Sequence, residues 1–159
     1  TLHVPGEQDA VTVDFVASAH AIQHVSQLGR PSIGHATSAG KVMLAFTGRP
    51  LPRRSLRAFT PHTITDREAL AAELERVREQ GFAEAFEERE PGLAAVAAPV
   101  WSASGALAAI VALQGPTSRF GRTEVRRAVD PLVDHARAVS TDLGWSADVA
   151  RLSAPAAAS

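Results

Sequence analysis

The sequence predicts an α+β domain in which helices pack against an antiparallel sheet. Three observations predict it. Residues 93–101 (LAAVAAPVW) and 106–114 (ALAAIVALQ) are apolar runs of strand length around a Ser102-Ala-Ser-Gly105 turn, the pattern of a buried hairpin. The segments of the whole chain read in the order β-β-α-α-α-β-β-β-α. The 159 residues, 45% hydrophobic and 21% charged, suit one soluble domain with a sizeable core.

The elements follow from the N-terminus. TLHVPGEQDA has no initiator Met and no positive region followed by an apolar stretch, so it is not a signal peptide. The chain reads as the C-terminal part of something longer. Residues 11–17 (VTVDFVA) and 21–28 (AIQHVSQL) alternate loosely, as two half-buried strands around a turn at Ser18-Ala-His20. Gly29 to Ser32 reads as a loop. Thr37 or Ser38 caps a helix to about Phe46, ended by Gly48 and Pro50. A short helix is expected over 52–59.

Thr65-Asp66-Arg67-Glu68 matches a capping box. Leu70, Leu74 and Val77 then share one helical face, and Gly81 closes the helix. Residues 82–87 read as a strand. Thr123 is expected to cap a last long helix with the stripe Val125, Val129, Leu132, Ala136, Val139 and Leu143, and Gly144 suits its end. The domain is read as 1–144. Residues 145–159 form an Ala-rich tail, expected to be poorly ordered beyond Leu152.

Composition excludes several functions. Net charge is −1 with a pI of about 6.6, and no dense Lys/Arg run appears, unlike a nucleic-acid-binding module. Arg53, Arg54 and Arg57, and Arg126 with Arg127, read as solvated helix faces. Cysteine is absent, which rules out disulfides and thiolate metal sites and fits a cytoplasmic protein. No apolar run approaches the roughly 18–20 residues of a membrane span. His20 and His24 are four apart, a spacing that joins two ligands on a helix but not on a strand. Glu87, Glu88 and Glu90 form an acidic cluster without a paired nucleophile, and read as solvated or salt-bridged. His35 and His135 read as structural. No G-x-S-x-G or Ser/His/Asp arrangement supports catalysis, and no cofactor is indicated.

The stretch Gly34 to Lys41, GHATSAGK, resembles a phosphate-binding loop and fails as one. A P-loop needs four residues between its glycines and a Ser or Thr after the lysine. Here five residues separate Gly34 from Gly40, and Val42 follows Lys41. What survives is a helix N-terminus, whose free amides and dipole favour an anion. A self-capped helix with no ligand is the alternative.

GRPSIGHATSAGKVMLAF, REQGFAEAFEEREPGLAAVAAPVWSASGALAAIVALQGPTSRF and the helix after them resemble the effector-binding domain of the IclR family of bacterial transcription regulators. The resemblance covers about residues 11–144, with the HAT-x-x-GK, E-x-G-x-x-x-x-APV and GPTSR-F blocks in order. It implies a GAF-like antiparallel sheet flanked by helices. It also implies an N-terminal winged helix-turn-helix, absent here, through which the longer protein would bind operator DNA, and assembly as homodimers or homotetramers.

In the family a small organic acid sits between the HAT helix and the concave sheet face. By motif position its carboxylate meets the backbone amides of Ser38 and Ala39, and Lys41 is structural. Where members that take small keto acids present an acidic residue, a cysteine and two serines, this chain has Ala85, Ala95, Ala112 and Gln114. The pocket is therefore expected to be larger and more apolar, with Ile22, Ile33, Met43 and Phe86 as walls and Gln114 supplying one amide. Glyoxylate becomes a poor candidate, and an apolar or aromatic acid a better one. The reading is a sensor domain of a transcription regulator. The alternative is a GAF-like dimerisation module without a small ligand, and an enzyme stands third.

Overall fold

In the computed structural model, which describes residues 1–17, 28–51 and 55–146, one antiparallel sheet carries helices on both faces. Its strands are β1 (Leu2–Pro5), β2 (Ala10–Asp14), β3 (Pro31–Ser32), β4 (Ala83–Phe86), β5 (Leu93–Trp101) and β6 (Leu107–Pro116). Their order across the sheet is β3-β2-β1-β6-β5-β4. The helices are α1 (Ser38–Phe46), α2 (Arg67–Gln80) and α3 (Arg122–Asp142). Among the described residues no helix is long and apolar enough to cross a membrane.

The β5–β6 hairpin organises the core. β5 is buried on both faces from Ala94 to Val100, which is why its sequence shows a continuous apolar run instead of an alternation. Ala94, Val96, Ala98 and Val100 pack with Val125, Val129, Leu132 and Ala136 of α3. On the other face, Ala97 and Ala112 pack with Ala39, Val42 and Met43 of α1, and Leu70, Leu74 and Val77 of α2 complete that layer. Small side chains on both sides let α1 lie close to the sheet.

Several expectations are corrected. The N-terminal segment forms β1, and Pro31–Ser32 pairs with Ala10 and Val11 as an edge strand where a loop was expected. Pairing with β2 and β6 makes β1 a strand, something its four residues do not advertise. The expected strand 21–28 lies outside the described residues except for Leu28, and so do the tail from residue 147 and residues 52–54 of the expected short helix. Residues 55–59 are not helical. The backbone amides of Phe59 and Thr60 donate to the Thr63 hydroxyl instead, at 3.0 and 2.9 Å.

Asp66, not Thr65, caps α2. Its carboxylate accepts from the Ala69 amide at 2.7 Å, and a full negative charge at a helix N-terminus outcompetes a hydroxyl. Helix α3 begins at Arg122, with Gly121 at its N-cap two residues before Thr123 and no side-chain cap. Its stripe ends on Ser140, fully buried, while Val139 and Leu143 are exposed. The Ser140 hydroxyl donates to Ala136 O and accepts from the Trp101 amide, tying the end of β5 to α3.

Candidate functional site

The N-terminus of α1 is built to leave two donors free. Thr37 is extended (φ −133°, ψ 149°) and its hydroxyl accepts from the Gly40 amide at 3.0 Å. The same hydroxyl donates to Ile33 O, and the Lys41 amide donates to Thr37 O. Of the first four amides of the helix, those of Ser38 and Ala39 have no partner among the described residues. The Ser38 hydroxyl, in a residue only 2% exposed, has none either. The preceding loop is pressed against the helix. A Cβ on Gly40 would sit 2.4 Å from Ile33 O and 2.6 Å from Gly34 Cα, so only glycine allows this approach.

Facing these amides is the sheet. Ala85, Ala95 and Gln114 lie side by side across β4, β5 and β6, with Ala112 two residues away on the same face of β6. These residues, with Ala36, Thr37, Ser38 and Ala39, line a cleft of about 70 Å3, room for several water molecules. Six of the ten residues expected at the site are thus brought together: Ser38, Ala39, Ala85, Ala95, Ala112 and Gln114. Three are placed otherwise. Phe86 alternates to the opposite face of β4 and packs in the α3 layer, its ring under Arg122. Met43 is one turn further along α1, fully buried in the core. Ile33 contributes its carbonyl to the α1 cap and lies off the cleft. Ile22, with His20 and His24, lies outside the described residues.

The cleft is more polar than its alanines imply. His3, Thr12 and Ser32 form one wall, with His3 Nδ1 3.2 Å from both hydroxyls. Burial, and then the terminal ammonium, lower the His3 pKa to about 4, so this imidazole is neutral at pH 7. Reading β1 as a strand would have shown His3 paired with Thr12; without it, no sequence signal joins them.

The turn between β4 and β5 brings Glu88, Arg89 and Glu90 to the cleft. Lys41 is 1% exposed, and its ammonium meets Glu88 at 2.7 Å, Glu73 at 3.1 Å and Glu84 O at 3.0 Å. Its ammonium is thereby committed to structure. Burial raises the pKa of Glu88, and Lys41 opposes that shift. Among the described residues no cluster of His, Asp and Glu could hold a metal ion.

A second groove, of about 250 Å3, lies among Phe46, Arg78, Trp101, Ala136, Arg137 and Trp145. It is roomier, but its arginines are engaged: Arg78 with Ala45 O and Glu75, Arg137 with Asp134. The first cleft, where unpaired donors converge, is the better candidate despite its smaller volume.

Residues 1–141 match the family described as bacterial transcriptional regulator IclR C-terminal. The chain is 33% identical over 152 residues to the HTH-type transcriptional regulator KdgR of Escherichia coli (strain K12), covering 91% of this chain and 58% of KdgR. It spans a little over half the length of that relative. The fold is similar to that of the Thermotoga maritima IclR crystal structure, with a TM-score of 0.80 and 30% identity over 91% of this chain and 60% of the other. It is also similar to the inducer-binding domain of the PobR transcription factor from Acinetobacter, a double mutant crystallised with 3-hydroxybenzoic acid. That match has a TM-score of 0.72 and 29% identity, covering 91% of this chain and 86% of the other.

Proposed function

Because this chain belongs to the IclR family of bacterial transcriptional regulators, we propose that its cleft is the sensor site for a small carboxylic acid with an apolar or aromatic body. The observation that carries the proposal is the pair of unpartnered amides at Ser38 and Ala39, with the free Ser38 hydroxyl beside them, opening onto an alanine-lined floor. The amides and the positive end of α1 receive the carboxylate. Ala85, Ala95 and Ala112 give hydrocarbon a place to bury, worth about 25 cal/mol per Å2. The 3-hydroxybenzoic acid bound by the PobR domain makes aromatic acids the first to try.

The acid acts by coupling. It favours one arrangement of the protein, and that arrangement changes operator affinity through a winged helix-turn-helix domain N-terminal to Thr1. The protein works in the cytoplasm as a homodimer or homotetramer, with residues 1–144 as its sensor domain and 145–159 as a tail. The test is a thermal-shift and calorimetric screen of benzoate, 3-hydroxybenzoate and short alkyl acids against this chain. A binder is expected whose affinity falls when Ala112→Trp fills the floor and when Ser38→Pro removes one amide. A bound acid that ignores both folded variants overturns the assignment, as does a screen without any binder.

A further inference from the structure

One cation at the cleft makes no direct ion pair among the described residues. Arg30 is matched by Glu90 at 2.6 Å, and Lys41 by Glu73 and Glu88. Arg89, which lines the same cleft, makes no hydrogen bond or ion pair among the described residues. Its guanidinium lies over the Phe59 ring, 4.1 Å from the centroid, and Arg57 lies at 5.1 Å from the same ring. Stacking fixes the plane of the group but occupies none of its five N–H donors. Partial burial, and then Arg30, lower its pKa, while the nearby charges of Glu90 and Asp9 oppose that shift.

The backbone holds Arg89 there. Glu87 is in the left-handed region (φ 55°), and its amide donates to Leu93 O at 2.7 Å. The Thr60 and Thr63 hydroxyls donate to the carbonyls of Glu87 and Glu88 at 2.5 and 2.6 Å. These bonds fix the backbone from which Arg89 projects, and the Phe59 ring packs against its guanidinium. The cleft is therefore lined by two sets of donors for an anion, the α1 amides and Arg89, together with its alanine floor.

We propose that Arg89 is a second anion-binding group of this cleft and that the effector is a dicarboxylic acid, one carboxylate on the Ser38 and Ala39 amides and the other on the Arg89 guanidinium. The proposal rests on the sensor reading above. A monocarboxylic acid satisfies one set only, whereas a diacid supplies the planar partner that guanidinium recognition favours.

Calorimetry with matched acids tests it: butyrate against succinate, hexanoate against adipate, and benzoate against isophthalate. Each is titrated into the wild-type chain and into Arg89→Ala, Arg89→Lys and Ser38→Pro. At least one diacid is expected to bind about tenfold or more tightly than its monoacid. Arg89→Ala should abolish that ratio by costing the diacid about tenfold more affinity than it costs the monoacid, while Arg89→Lys retains part of the preference. Equal affinities in the wild type, or a ratio that survives Arg89→Ala, overturn the role of Arg89. If the monoacids then remain sensitive to Ser38→Pro, the sensor site itself stands. If no acid of any pair binds, both readings fall.

Discussion

Replacing Lys41 by Met keeps most of the side-chain volume and deletes the ammonium at the centre of a buried ion cluster. Glu73 retains a cation, because Arg76 lies 2.5 Å from its other oxygen. Glu88 does not: its Oε1 is bound to Lys41 and its buried Oε2 has no partner among the described residues. Removing one member of a buried pair costs about 3–5 kcal/mol, because the remaining charge is stranded. For a chain of this size that lowers Tm by roughly 10 °C or more. Burial already lifts the Glu88 pKa above 4.5, against the pull of Lys41, and losing Lys41 lifts it further. A carboxyl raised in the folded state supports stability below its unfolded pKa and withdraws that support as pH rises through the folded value. The Lys41→Met deficit should therefore be largest near pH 7 and shrink as pH falls toward 4.5. Urea denaturation at several pH values measures it, and Lys41→Met/Glu88→Gln should recover much of the loss. A Lys41→Met chain within 1 kcal/mol of wild type, or a deficit untouched by Glu88→Gln, refutes the stranded-charge reasoning.

Gly40→Ala should displace the start of α1 from the Ile33–Gly34 backbone, reducing both stability and acid affinity; circular dichroism and calorimetry report the two effects. Asp66→Ala should cost about 1 kcal/mol in urea denaturation through loss of the α2 cap, with acid binding unchanged. His3, with its pKa lowered from 6.5 to about 4, contributes stability that is intact above pH 6.5 and is lost as pH falls toward 4. The swing is on the order of 3 kcal/mol, and His3→Gln should flatten that part of the stability–pH curve.

The sheet hairpin and the helices were legible where one local rule dominated. Ala94 to Val100 announces a strand buried on both faces, and Leu70, Leu74 and Val77 announce a helix face. The ends were less legible. A cap is decided by which of two adjacent side chains reaches an amide, as with Thr65 and Asp66, and a stripe by whether position 139 or 140 meets the sheet. β1 was invisible because its four residues owe their conformation to β2 and β6. At the cleft, Ala85, Ala95, Ala112 and Gln114 were grouped by motif position in the family resemblance, and alternation along β4, β5 and β6 places them on one face. The same alternation argues against Phe86, which directly follows Ala85. His3, Thr12, Ser32 and Arg89 come from four separate segments, and only the folded chain assembles them.

The most direct measurement follows the amide signals of Ser38 and Ala39 by NMR while an acid that binds, such as isophthalate or 3-hydroxybenzoate, is titrated into the labelled chain. Those two signals should move saturably, together with signals from Ala95, Ala112 and Gln114. Saturable shifts confined to the groove of Phe46, Trp101 and Trp145, with Ser38 and Ala39 unmoved, would contradict an effector site at the start of α1.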